Sequence, residues 1–102
     1  MNVIVREEGR IVIRPAGKIT AATVPALEED IRQALDPLPV ELIIDCLEVQ
    51  DIDSIGVGLL VATHNSLSQK GGKLIVVNTD QEIYDLFRIM RLTDHFQVTV
   101  KA

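Results

Sequence analysis

Two short apolar runs constrain this chain more than anything else: Val40-Glu41-Leu42-Ile43-Ile44-Asp45 and Lys73-Leu74-Ile75-Val76-Val77-Asn78. Each reads as a mostly buried strand. Between them lies one helix-period segment, from about Ser54 to Gln69, whose first half is apolar nearly all round (Ile55, Val57, Leu59, Leu60, Val61). Gly71-Gly72 ends it. A strand, a helix and a second strand in that order require a crossover, and crossovers build parallel sheets.

The flanking segments extend the alternation. Asn2 to Arg6 and Arg10 to Arg14 are β-rich runs on either side of Glu7-Glu8-Gly9, where Gly9 suits a turn, so they read as a hairpin. Pro15 and Gly17 end the second run. Val24, Leu27, Ile31 and Leu35 recur at helical spacing, with Thr23 placed to cap and Pro25 in the first turn. Asp36-Pro37-Leu38-Pro39 stops that helix. Leu47 to Asp53 reads as an acidic loop. Thr79-Asp80-Gln81-Glu82 reads as a capping box for a third helix bearing Ile83, Leu86, Phe87 and Met90 on one face. Phe96, Val98 and Val100 alternate with polar residues, as in an edge strand. The order β-β-α-β-α-β-α-β predicts an α/β domain over residues 1–102. Its sheet is mixed but mostly parallel, with about five strands and the helices packed on it. The expected core includes Leu42, Ile44, Leu60, Ile75, Val77, Leu86 and Phe87.

Composition narrows function. With 47% hydrophobic residues, the chain is not disordered. Fifteen acidic residues against ten basic ones give a net charge of -5, which repels nucleic acid and anionic membrane surfaces. Tyr84, Phe87 and Phe96 are too few to form a stacking platform for single strands. The lone Cys46 excludes an internal disulfide and a multi-cysteine metal site. No apolar run is long enough to span a membrane, and the first residues do not read as a signal peptide, so the expected compartment is the cytoplasm.

Enzyme readings fail on geometry. Ser54 is the obvious nucleophile, but His64 lies ten positions along the same helix, about 15 Å away by helical rise. A nucleophile elbow needs Gly where Ile52 stands. Neither histidine has zinc-ligand spacing, and both read as surface residues. Asp45, Glu48, Asp51 and Asp53 cluster in sequence but read as a solvated loop with a helix cap. Gly56-Val57-Gly58 lacks the third glycine of a dinucleotide fingerprint, because Val61 occupies that position, and no Walker lysine follows. No cofactor or metal is expected, and no catalytic activity.

What remains is the start of the second helix. Ser54 reads as its cap. Two glycines within one helical turn cost about 1 kcal/mol each relative to Ala, which a purely structural helix start would not need. Small residues there leave backbone and hydroxyl accessible to close packing or to another protein. An exposed hydroxyl among apolar docking residues suits reversible phosphorylation.

Asp53-Ser54-x-Gly56-x-Gly58, preceded by a strand and loop and opening an apolar helix, resembles the signature of bacterial anti-sigma factor antagonists of the STAS-domain family. So do Gly17-Lys18-Ile19, the helix from Thr23, the Gly71-Gly72-Lys73 lead into a strand, and Leu86-Phe87-x-x-Met90-x-Leu92. The resemblance implies partner switching. The unphosphorylated protein binds an anti-sigma factor that is also a serine kinase of the GHKL ATPase type, freeing the sigma factor. The kinase then phosphorylates the serine after the Asp, here Ser54, and a PP2C-type phosphatase reverses this. Thr20, Asp53, Ser54, Ile55, Gly56, Val57 and Gly58 are the residues so implied in partner binding. Two of them depart from the family pattern: Thr20 stands where an Asp is common, and Ile55 where Ser or Thr is. Other STAS domains serve transporters or signalling complexes as docking subunits without the switch, which is the alternative role.

Overall fold

The computed structural model describes residues 2–35 and 41–102. Asp36 to Val40, where the sequence places a helix stop and the first residue of a strand, lie outside the described residues. The strands are β1 (Val3–Glu7), β2 (Arg10–Arg14), β3 (Ala16–Ile19), β4 (Glu41–Asp45), β5 (Glu48–Ile52), β6 (Lys73–Thr79) and β7 (Gln97–Val100). The helices are α1 (Val24–Ala34), α2 (Ser54–Ser68) and α3 (Gln81–Ile89), with a short 3-10 turn at Leu92–Asp94.

Five strands form one sheet in the order β1-β2-β4-β6-β7. The hairpin β1-β2 is antiparallel, turning at Gly9 with φ 70°, and the remaining pairings are parallel. From β2 to β7 the three crossovers all step in the same direction. Because crossovers are right-handed, all three helices fall on one face. Burial follows. Ile11, Ile13, Leu42, Ile44, Leu74 and Val76 face the helices and are at most 3% exposed. They meet Leu27 and Ile31 of α1, Leu60 and Leu67 of α2, and Ile83 and Phe87 of α3 in one core. Phe87 also packs edge-on against Phe96, with ring centroids 6.4 Å apart.

This one-sided cover corrects part of the expected core. Leu42, Ile44, Leu60 and Phe87 are buried, but Ile75 and Val77 lie on the open face and are only half-buried. A continuous apolar run was expected to be buried on both faces; with helices on one side, alternate residues alone are covered. Leu86 is 36% exposed, because α3 docks through Ile83 and Phe87 instead.

Leu47 to Asp53 is also corrected. Most of it is strand β5, paired in parallel with β3 as a separate two-stranded sheet. Its register shifts between Gly17 and Lys18, so Gln50 is passed over in the pairing. Only Val49 and Ile52 of this strand are buried, which is why its acids make it look like a loop.

Candidate functional site at the start of the second helix

Asp53, not Ser54, caps α2. Its backbone is extended, and one carboxylate oxygen accepts from the Gly56 N–H at 2.9 Å. Its other oxygen accepts from the Ala21 N–H at 3.0 Å, in the turn between β3 and α1. The Asp53 N–H donates to the Ile19 carbonyl at 3.2 Å. One residue therefore clamps the start of α2 to the end of β3 and to the Thr20–Thr23 turn. The Gly56 and Ala21 amides hold the Asp53 carboxyl below its ordinary range.

The other caps are also displaced by a residue or a role. Thr23 precedes α1, but its hydroxyl donates to the Lys18 carbonyl at 2.7 Å and accepts from the Thr20 N–H, making no side-chain cap. Asp80 caps α3 by accepting from the Ile83 N–H at 2.8 Å. Thr79 is fully buried and donates to the Thr99 carbonyl, tying β6 to β7. A Thr-Asp or Asp-Ser pair offers two competent caps in a row. Sequence alone does not decide which residue takes the extended conformation.

With Asp53 as cap, Ser54 is the first residue of α2 and is exposed, and among the described residues its hydroxyl has no hydrogen-bond partner. Ile55 beside it is 52% exposed. Thr20 is half-buried in the adjoining turn. The glycines divide in role. A Cβ on Gly56 would lie 2.1 Å from the Ile19 carbonyl oxygen, so Gly56 is what lets α2 approach β3. A Cβ on Gly58 would meet nothing within 4 Å, and Gly58 leaves bare backbone at the surface. Val57 is 4% exposed and packs into the core. Of the seven residues singled out, Thr20, Asp53, Ser54, Ile55 and Gly58 share the surface, while Gly56 and Val57 support it from beneath.

The structure adds α3 to this region. A shallow groove of about 150 Å³ runs between Gln50, Asp51 and Ile52 of β5 and Asp80, Glu82 and Leu86 at the start of α3. Leu86 leads on to Ile89, 71% exposed, and Met90, 46% exposed. The helical spacing of Leu86 and Met90 predicts a core face, but both are exposed. Ile89 gave the available signal: it extends the apolar stripe beyond what one helix face can bury.

The remaining candidates resolve into structural roles. Asp45 is buried at the end of β4, where it accepts from Arg14, Asn78 and the Leu47 N–H. Burial alone would raise its carboxyl, but those hydrogen bonds outweigh it and hold the group below the ordinary range. Burial and the nearby Asp45 and Asp80 charges push the Cys46 thiol up to about 12, which leaves it unreactive. Among the described residues no three His, Cys, Asp or Glu side chains form a metal cluster. His64 and His95 come together, ring centroids 6.3 Å apart, toward the far end of α2 from Ser54. No helix among the described residues is long and apolar enough to cross a membrane.

Residues 2–102 match the STAS domain family. The chain is 31% identical over 93 residues to an anti-sigma-B factor antagonist of Listeria monocytogenes, covering 91% of this chain and 82% of that one. An anti-sigma factor antagonist from Mycobacterium paratuberculosis superposes with a TM-score of 0.86 at 26% identity, over 97% of this chain and 84% of that one. The phosphorylated form of the Bacillus cell fate determinant SpoIIAA shares the fold, with a TM-score of 0.77 at 20% identity over 96% of this chain and 90% of that one.

Proposed function

The chain belongs to the STAS domain family, and on that footing we propose that it is an anti-sigma factor antagonist working by phosphorylation-controlled partner switching in the cytoplasm. Unphosphorylated, it docks through the surface formed by Thr20, Ser54, Ile55 and Gly58 onto an anti-sigma factor that is also a GHKL-type serine kinase. Docking frees the sigma factor. The kinase transfers phosphate to the Ser54 oxygen, the complex dissociates, and a PP2C-type phosphatase restores the binding form. ATP and metal belong to these partners; this chain contributes the acceptor and the docking surface.

One observation carries this reading. The helix is already capped by Asp53, so the Ser54 hydroxyl is exposed with no structural task to perform. Its modification costs the fold no hydrogen bond. An added phosphate carries about -1.5 to -2 charges at neutral pH. Placed next to Ile55, it must be desolvated against the partner, at a cost of several kcal/mol unless it is paired there. Phosphorylation therefore opposes docking while leaving the domain folded.

The test is incubation with the cognate kinase and ATP, followed by intact-mass measurement and peptide mapping. The expected result is one phosphate, on Ser54, and none on Ser54→Ala. Phosphate on another residue, or no transfer within a complex that demonstrably forms, overturns the assignment.

A further inference from the structure

On the face of the five-stranded sheet opposite the helices, β1 is exposed and the inner strands are mostly half-buried, except Asp45, which is buried among Arg14, Asn78 and the Leu47 turn. The side chains of this face follow from the strand registers. In β1, Asn2 and Arg6 reach α1 (Asn2 to Asp30 at 2.7 Å, Arg6 to the Gln33 carbonyl at 3.3 Å), so Val3, Val5 and Glu7 point to the open side. Read across β1, β2, β4 and β6, the registers then give three rows. The first is Glu7, Arg10, Glu41, Lys73. The second is Val5, Val12, Ile43, Ile75. The third is Val3, Arg14, Asp45, Val77, in which Arg14 and Asp45 lie one residue past the paired stretch of β2 and β4 and are joined by their ion pair. Val3 and Val5 are 56% and 46% exposed, and the apolar residues of the inner strands are half-buried.

We propose that this face is a self-association surface, joining two copies of the chain about a two-fold axis that runs along the strands between β2 and β4. Such an axis lays each row against itself in reverse. Glu7 then meets Lys73 of the second copy, and Arg10 meets its Glu41. The row of four apolar residues meets its own mate. Val3 meets Val77, and Arg14 meets Asp45. The positions on β1, β2, β4 and β6 face complementary ones, with Asp45 reaching its mate only through the exposed edge of its carboxylate, while β7, whose Gln97 continues the middle row, lies outside the overlap. The alternative axis, across the strands, sets the first row against the third. It would place Arg10 on Arg14 and Glu41 on Asp45, like charge on like charge. The charges therefore disfavour the crossed orientation and suit a second copy laid along the strands. Two sheets packed this way form an aligned sandwich about 10 Å thick. The Arg10–Glu41 ion pair already present in one chain, at 2.8 Å and partly exposed, becomes a four-charge cluster across the interface. Because α2 lies on the opposite face, Ser54 stays open in the dimer, and the inference is independent of the proposed function.

The decisive pair is Glu7 and Lys73. Three strand spacings separate them within a chain, about 14 Å. That exceeds the screening length of about 8 Å at physiological salt, so they couple only between chains. The experiment is sedimentation equilibrium over a concentration series, with thermal unfolding confirming that each variant folds. The wild-type mass should rise from 11.3 kDa toward twice that value. Glu7→Lys and Lys73→Glu should each weaken the dimer by at least about tenfold, since like charges then meet twice per interface. The double variant E7K/K73E should recover to within about threefold of wild type. Ile43→Lys should leave a folded monomer. A single-chain mass up to about 1 mM, equivalent to an interface weaker than about 4 kcal/mol, overturns the proposal and leaves this face to a partner of another sequence. So does a double variant as weak as the two single changes combined.

Discussion

The Asp53 carboxylate accepts a hydrogen bond from the Ala21 amide at 3.0 Å, across thirty-two residues of sequence. Its second oxygen caps α2 through Gly56. The turn carrying Thr20 and the helix start carrying Ser54 are therefore one rigid unit. Asp53→Ala removes both bonds. We expect a lower melting temperature and a weaker partner complex even though Ser54 is untouched. Asp53→Asn keeps one acceptor oxygen and should retain part of each. Thermal unfolding and partner titration on the three proteins decide this; equal affinity for Asp53→Ala and wild type would show that the clamp does not organise the docking surface.

The two glycines should respond in opposite ways. Gly56→Ala drives a methyl into the Ile19 carbonyl and must move α2, so it should destabilise the fold by more than 1 kcal/mol, about 4–8 °C in melting temperature. Gly58→Ala meets open space and replaces the poorest non-proline helix former, so it should be neutral or stabilise by up to about 1 kcal/mol. If its role is to let a partner approach, it should still weaken docking. Melting curves with Gly58→Ala below Gly56→Ala would refute the packing argument.

Much of this was legible in sequence, and the gaps have physical causes. The order of elements, the one-domain α/β architecture and the start of α2 followed from apolar periodicity and glycine placement. The β3-β5 pair did not, because Glu48–Ile52 buries only two side chains and its pairing is long-range. The half-burial of Ile75 and Val77 is not legible either, because an apolar run does not state which face the helices cover. Asp53 and Ser54 are equally competent caps in sequence; only the backbone, extended at Asp53, distinguishes them. With Asp53 as the cap, the Ser54 hydroxyl is left exposed and unused by the fold.

Acid should loosen the site before the core. The Asp45 and Asp53 carboxyls are both held below their ordinary range in the folded protein. Their contribution to stability is fully present above the unfolded value, about 3.9, and is lost as pH falls below it through the folded values. The melting temperature should thus be flat with respect to these two groups from neutrality to about pH 5 and should fall below about pH 4. Asp45→Asn and Asp53→Asn should each flatten the acid limb. An acid limb unchanged in both variants would assign the loss to other carboxylates.

The α3 stripe should belong to the partner's footprint. Ile89 is 71% exposed, so Ile89→Ala should leave the melting temperature unchanged. Burial of an isoleucine side chain is worth about 1.5–3 kcal/mol, so the substitution should weaken a complex that covers it by about tenfold or more. Surface plasmon resonance against the proposed anti-sigma partner reads this directly. Full affinity would confine docking to α2 and the Thr20 turn.

Phosphate on Ser54, as proposed, blocks an interface without unfolding the domain. The helix N-terminus stabilises an added anion by roughly 0.3–1 kcal/mol, and the nearby Asp51 and Asp53 oppose it by a comparable amount. One phosphorylated sample, divided between thermal unfolding and partner titration, tests this. The expected result is a melting temperature within a few degrees of the unmodified protein, since about 1 kcal/mol corresponds to ~4–8 °C in a domain of this size. Partner affinity should fall more than about tenfold, over ~1.4 kcal/mol. Unchanged affinity, or a melting temperature lowered by tens of degrees, would contradict it.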